Sequence, residues 1–265
     1  EQEFVEKVEP KLLYAGVFFE HGISPYMWSK LFLKEKIFKY QMLDGIINTM
    51  YDDVMVSLPC IAETKSIYVS HKCYYHYRVR NESLKREYRK GEEIKLLRCY
   101  SDLYERFKSS SLCLKEDKQI DYFMLYSLLY RAPHIFDAPY GRNFLKAFGN
   151  IEIEDKIVLY GAGAVGIRLE QYIREIKDGN IVCWVDRNYK SFQGILNVVN
   201  PREILNYQYD YVIISIIRGH TAQSAIRELI NMGVPEKKIC GIKEEYIKNP
   251  KLLISKALHQ NLSKM

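Results

Sequence analysis

No stretch of about 18 consecutive apolar residues occurs in this 265-residue chain, so no membrane-spanning helix is read from it. The six cysteines, Cys60, Cys73, Cys99, Cys113, Cys183 and Cys240, form no C-x-x-C pair and fit no zinc-module spacing. The six histidines, His21, His71, His76, His134, His220 and His259, also lack ligand spacing, so no metal site is argued from them. There is no G-x-S-x-G nucleophile elbow, internal repeat, low-complexity tract or targeting segment. A strong excess of one charge is missing too. Thirty-nine Lys and Arg against 33 Asp and Glu give +6, too dispersed to argue a nucleic-acid partner, though compatible with anionic substrates or an anionic membrane surface.

The composition is that of a folded protein: 48% hydrophobic and 27% charged residues, in a chain long enough to bury a core without disulfides. Cys60, Cys73, Cys183 and Cys240 lie in apolar runs and read as reduced, buried thiols of a cytoplasmic protein. The chain opens at Glu1 in a helical pattern without an initiator Met, and is expected to be part of something longer.

The hydrophobic period changes near residue 150. Before it the pattern is mainly helical. After it, short β-rich runs alternate with helical ones, which predicts an α/β chain ending in a small parallel-sheet domain. Expected divisions are 1–150, 151–243 and a basic amphipathic helix over 244–265 carrying Leu252, Leu253, Leu258 and Leu262. That helix docks on the protein or lies on an anionic membrane. In the first part, Ser24 and Pro25 predict a helix start. Asp52 and Asp53 open a second helix, with a kink or early break at Pro59. Ser66–Ser70 and Cys73–Val79 read as two strands, and helices are expected over about 91–108 and 117–148. The stripe Tyr122, Phe123, Tyr126, Leu129 and Tyr130 reads as core.

The most specific motif lies in the second half. The apolar run Lys156–Tyr160 leads into Gly161-Ala162-Gly163-Ala164-Val165-Gly166 and then a helical pattern, the strand–turn–helix context that G-x-G-x-x-G requires. Gly161 permits a tight turn, Gly163 lets a pyrophosphate approach the backbone, and Gly166 permits close helix–strand packing. Free N–H groups at the helix start would meet the anion. A second strand, Asn180–Val185, ends in Asp186, about 20 residues beyond the loop, where a ribose-binding acid is expected. Arg187 would instead meet a 2′-phosphate, and His220 with Arg218 would face the mouth of the loop. Further strands are read at 210–216 and 238–242, with a helix from Ala222 to Met232 capped by Gly233. The ligand stays open between a nucleotide, a nucleotide-sugar and NAD(P), and a loop that serves only as a turn competes with all three. On "strand, GAG-x-x-G, helix, strand ending V-D", residues 155–243 resemble the small Rossmann-like domains that precede sugar acyltransferases or are fused to sugar-modifying enzymes.

Residues 24–84 carry a second resemblance. Trp28-Ser29-Lys30-Leu31-Phe32 looks like a "W-x-K-L-[FY]" helix, and Tyr51-Asp52-Asp53-Val54 sits where Gly-Glu-Asp-Val is usual. Tyr74-Tyr75-His76-Tyr77-Arg78-Val79-Arg80-Asn81-Glu82-Ser83 looks like a "Y-x-Y-R-x-R-x-x-S" tail. In order and spacing these resemble the C-terminal part of family-2, GT-A-fold glycosyltransferases, which build bacterial surface polysaccharides. The resemblance implies an inverting sugar transfer from a nucleotide-sugar donor to a saccharide or lipid-linked acceptor, in the cytoplasm or peripherally at the inner membrane. It makes Asp53 the general base beside Asp52, puts Trp28 and Lys30 near the acceptor, and turns Arg78, Arg80 and Ser83 toward the donor diphosphate. Plain readings compete: a helix N-terminus for the two acids, core for Trp28, a solvated face for the arginines.

The resemblance also implies a divalent metal, Mg or Mn, on an Asp-x-Asp motif, and no Asp-x-Asp occurs in this chain. The nucleotide pocket of that family is missing as well. The chain is therefore expected to be the C-terminal portion of a larger glycosyltransferase, inactive alone. The alternatives are a nucleotide-binding regulatory module and an NAD(P)-dependent oxidoreductase or epimerase.

Overall fold

The computed structural model describes residues 11–15, 22–41, 52–76, 92–108, 118–131, 133–136, 144–176, 180–217 and 219–255. The chain is α/β, with helices and one four-stranded parallel sheet. It divides into two compact units, Glu1–Met124 and Leu125–Met265. The division lies upstream of the one expected near residue 150, and the reason is local packing. The Phe144 N–H donates to the Tyr172 hydroxyl at 2.8 Å, His134 lies 2.7 Å from Glu175, and the Lys243 N–H donates to the Ala147 carbonyl at 3.0 Å. Residues 133–136 and 144–148 thus fasten to the elements that follow them.

The N-terminal unit contains helices α1 (Lys34–Gln41), α2 (Asp52–Ala62) and α3 (Glu92–Lys108), and α4 (Lys118–Arg131) spans the division. The helix expected to start at Pro25 is instead a 3₁₀ turn, Met27–Ser29, and regular helix begins only at Lys34. Helix α2 begins at the two acids as expected but runs through Pro59 to Ala62 without a break. Proline removes the N–H that would bond the carbonyl four residues back, here that of Met55. The Arg106 guanidinium from α3 donates to that carbonyl at 3.2 Å, so the buried oxygen keeps a partner.

Residues 66–76 form no strand. The β-branched and aromatic side chains Ile67, Tyr68, Val69, Tyr74 and Tyr75 are exposed instead, Tyr68 at 92%. β-propensity needs a neighbouring ladder to act on, and the described sheet lies wholly in the other unit. Cys73 is exposed with this segment, whereas Cys60 and Cys183 are buried.

Helix α4 stops at Arg131, because Pro133 follows; the helix expected to reach 148 is replaced by 3₁₀ turns at Pro133–Phe136 and Phe144–Ala147. The helix is apolar on nearly every side, with Ile120, Phe123, Met124, Leu125, Leu128 and Leu129 all buried, as a helix enclosed by its neighbours must be. Its buried Asp121 accepts from the hydroxyls of Tyr100 at 2.6 Å and Tyr104 at 2.9 Å. Burial first, and the Asp121 bond second, push the Tyr100 phenol far above its ordinary range.

In the C-terminal unit, β1 (Ile157–Tyr160), β2 (Ile181–Val185), β3 (Tyr211–Ile214) and β4 (Ile239–Cys240) lie in the order β2-β1-β3-β4, all parallel. Helix α5 (Ala164–Ile176) links β1 to β2 and α6 (Gly219–Asn231) links β3 to β4, the alternation read from the sequence. Between β2 and β3 the crossover uses two 3₁₀ turns, Tyr189–Phe192 and Pro201–Asn206. Val158, Tyr160, Val185, Val212, Ile214 and Leu229 form the core under the sheet. Parallel strands covered on both faces read as continuous apolar runs, which is why these four were visible. The expected C-terminal helix is interrupted at Asn249-Pro250: α7 spans Glu244–Lys248, and helix resumes at 251–255, with Leu253 and Ile254 fully buried. Residues 256–265, with Leu258 and Leu262, lie outside the described residues. Among the described residues no helix is long and apolar enough to cross a membrane.

The Pro59 arrangement is testable. Arg106→Leu strands the Met55 carbonyl and should destabilise the chain by about 1–3 kcal/mol. Adding Pro59→Ala restores an N–H to that position and should recover part of the loss. Urea unfolding of the four members of the cycle measures the coupling; strictly additive effects would show that Arg106 does not stand in for the missing N–H.

Candidate functional site

At the carboxyl end of β1 the chain turns through Gly161 with φ +111°, a left-handed conformation that side chains disfavour. A Cβ there would also lie 2.6 Å from Ser215 Oγ, and one on Gly166 would lie 2.1 Å from the Gly161 carbonyl oxygen. Packing alone therefore requires both residues to be glycine. Gly163 differs: a Cβ built on it meets nothing within 4 Å. The protein does not need a glycine there for its own packing, and the backbone faces open space at the start of α5. The first N–H groups of that helix have no partner within it, so this is where a phosphate would be received.

The turn is held from both neighbouring strands. Trp184 Nε1 of β2 donates to the Gly161 carbonyl at 2.8 Å, and Ser215 Oγ, just past β3, lies 3.0 Å from the same oxygen and 2.9 Å from the Tyr160 carbonyl. The Gly161 N–H donates to the Val185 carbonyl at 2.8 Å. Asp186 stands beside the loop, as the spacing predicted. Its Oδ2 accepts from the Ala162 N–H at 2.7 Å and its Oδ1 from the Asn188 N–H at 2.7 Å. The carboxylate thus clamps the glycine loop to the end of β2, and each oxygen retains a lone pair for a further donor.

The signals for the other locking residues were thin. Ser215 is a hydroxyl inside an apolar strand run, and Trp184 is one of only two tryptophans. Behind the loop, the Tyr160 hydroxyl donates to Glu228 at 2.9 Å, and Arg187 pairs with Glu228 at 2.5 Å and donates to Ser224 at 3.0 Å. Burial and the Glu228 bond push the Tyr160 phenol well up, and the same carboxylate raises Arg187 further. His220 is exposed at the start of α6, and Arg218 lies outside the described residues.

The N-terminal unit brings a second set of predicted residues together. Ser57 of α2 donates to the Pro25 carbonyl at 2.6 Å, and the Met27 N–H donates to Asp53 Oδ1 at 3.4 Å. These bonds lay the 3₁₀ turn across the first turns of α2. Lys30 folds back onto the same loop, donating to the carbonyls of Ser24 and Tyr26 and to Ser29 Oγ. Burial lowers the Lys30 pKa, and the nearby charge of Asp53 works in the opposite direction. Trp28 is not core. It is 40% exposed and stacked between Tyr26 at 5.3 Å and Tyr75 at 5.0 Å, a surface of three aromatic rings.

Asp52 begins α2, and its side chain is not among those described; Arg78, Arg80 and Ser83 lie wholly outside the described residues. Among the described residues no group of three His, Cys, Asp or Glu could hold a metal ion. With no Asp-x-Asp in the chain either, the donor set does not fit the divalent metal that the glycosyltransferase resemblance implies, and no step is routed through one.

With this geometry in place, the comparisons with known proteins bear on one unit. Residues 153–240 match the model of a family described as C2185-like, N-terminal. The match contains the glycine loop and all four strands. No curated protein and no solved structure matches the chain.

The glycine geometry makes a comparative prediction. Gly166→Ala should destabilise by about 1–3 kcal/mol or more, since the new methyl meets a backbone oxygen that cannot swing aside. Gly163→Ala should stay within about 0.5 kcal/mol of the parent. Thermal unfolding of the two variants side by side checks this; equal losses would mean that the Gly163 backbone is packed after all.

Proposed function

We propose that the C-terminal unit binds a nucleotide or nucleotide-sugar, with its pyrophosphate against Gly163 and the start of α5. One observation carries this reading: of the three loop glycines, Gly163 alone is not demanded by the protein's own packing. The N–H groups opening α5 donate to the anion, and the helix dipole adds to the attraction. Asp186, already fixed by the Ala162 and Asn188 N–H groups, accepts from a ribose hydroxyl without having to be ordered first. NAD(P) would use the same residues. When bound it would supply hydride chemistry, and this chain's part would be to hold the pyrophosphate and ribose.

A second reading concerns the N-terminal unit and is favoured by the convergence of Trp28, Lys30 and Asp53 on one loop–helix corner. It is that of the acceptor-side portion of an inverting glycosyltransferase. Exposed aromatic rings suit the apolar face of a sugar, and Asp53 would take the proton of the acceptor hydroxyl. Lys30, held by three oxygen acceptors, would shape the loop rather than transfer a proton.

Both readings have direct tests. NAD, NADP, UDP-glucose and GDP-mannose are to be added in thermal scans. At a hundred times its dissociation constant a ligand of the folded state stabilises by about 2.7 kcal/mol, and Gly163→Val should abolish that shift while leaving the unliganded melting point near the parent's. A chain unmoved by all four at millimolar concentration would leave the loop as a turn only. For the second reading, in the full-length glycosyltransferase that it supposes, Asp53→Asn should lower transfer to a saccharide acceptor by roughly a hundredfold or more with the fold retained. Near-normal turnover of a folded variant would return Asp53 to holding the Met27 N–H and nothing else.

A further inference from the structure

Ser224, Arg227 and Glu228 of α6 line a groove together with Arg187 and Arg202 of the β2–β3 crossover. The groove has a volume of about 560 Å³, and Asn231 lines it too. Three guanidiniums therefore face one carboxylate. Glu228 is already committed, paired with Arg187 at 2.5 Å and accepting from Tyr160 at 2.9 Å. Arg202 and Arg227 bring two further positive charges, and no second carboxylate lines the groove among the described residues. Ser224 Oγ accepts from Arg187, which leaves its own proton to donate.

We propose that this groove binds a phosphomonoester dianion carried on a sugar- or nucleoside-sized group, with Arg202 and Arg227 as its charge partners. Two guanidiniums match a dianion in charge, and their forked donors match phosphate oxygens in geometry. The volume falls in the range of small-molecule sites and exceeds what a bare phosphate would fill. Arg187, fixed by Glu228 and Ser224, forms the wall rather than the receptor. It follows Asp186 directly, so the groove lies next to the residue that clamps the glycine loop. The phosphate has two possible sources: a second phosphate on a nucleotide seated at that loop, or a separate sugar phosphate. The groove itself does not depend on the glycine-loop reading.

The test uses the whole chain in isothermal titrations with glucose 1-phosphate, and with NADP against NAD. The expected result is binding of glucose 1-phosphate, or a preference for NADP over NAD. Either should weaken at least about tenfold in the Arg202→Glu/Arg227→Glu double variant. The single Arg202→Gln variant, an exposed and milder change, should show an intermediate loss and guards against misfolding of the double variant. Signal that survives Gly163→Val comes from a separate sugar phosphate; signal lost with it comes from the nucleotide. Absence of binding in both arms, or equal affinity in parent and arginine variants, overturns the proposal. Glucose 1-phosphate binding in a chain that ignores UDP-glucose would uphold the groove while the glycine-loop reading fell.

Discussion

The carbonyl and amide of Gly161 are where β1, β2 and β3 meet. The amide reaches the Val185 carbonyl, and the carbonyl is reached by Trp184 from β2 and Ser215 from the end of β3. Because the residue holds φ +111°, this peptide cannot be supplied by a side-chain-bearing residue without strain and a clash with Ser215. The turn in turn fixes where α5 begins, and the close approach of Gly166 to the Gly161 oxygen fixes how tightly α5 packs on the sheet. What remains accessible after these constraints is the face of Gly163 and the first N–H groups of α5. The surface proposed to bind the ligand is the part of the loop that the fold has not used.

Asp186 shows how one residue serves two levels of this organisation. Its two backbone hydrogen bonds are structural, holding Ala162 of the loop and Asn188 beyond β2. A carboxylate so held is pre-oriented for a further donor, because its rotamer is already fixed. The neighbouring Arg187 is turned away toward Glu228 and Ser224 on α6, into a different environment. Adjacent residues at the end of one strand thereby point toward two distinct places, a loop that offers N–H donors and a groove that offers guanidiniums.

The N-terminal unit is organised by compensation of backbone groups. Pro59 inside α2 removes a donor, and Arg106 from α3 supplies one to the Met55 carbonyl. Nearby, Ser57 and Asp53 on the same helix capture the Pro25 carbonyl and the Met27 N–H, so the loop bearing Trp28 is seated by hydrogen bonds to α2. Met27, Phe32 and Ile37 add apolar packing against Tyr40, Val56 and Cys60. This seating explains how a tryptophan comes to stand on the surface: its neighbours in sequence are buried or bonded, and its ring is left to stack with Tyr26 and Tyr75.

The sequence by itself determined the parallel α/β unit, since buried parallel strands read as unbroken apolar runs and the glycine motif carries its own turn geometry. It also placed Asp186 beside that loop, and Asp53 at a helix start, from spacing and local capping alone. The two strands read at 66–79 were not decided locally: a β-prone segment becomes a strand only where a neighbour presents free N–H and C=O groups, and residues 66–76 find none in the described sheet. The run of helix through Pro59 was likewise beyond reach, because the guanidinium that permits it comes from another helix. The division of labour among Gly161, Gly163 and Gly166 was read from the motif; only the tertiary structure decided that Trp184 and Ser215 lock the Gly161 carbonyl, and that Arg187, Arg202 and Arg227 share a groove. Those are distances between residues far apart in the chain, and periodicity carries no information about them.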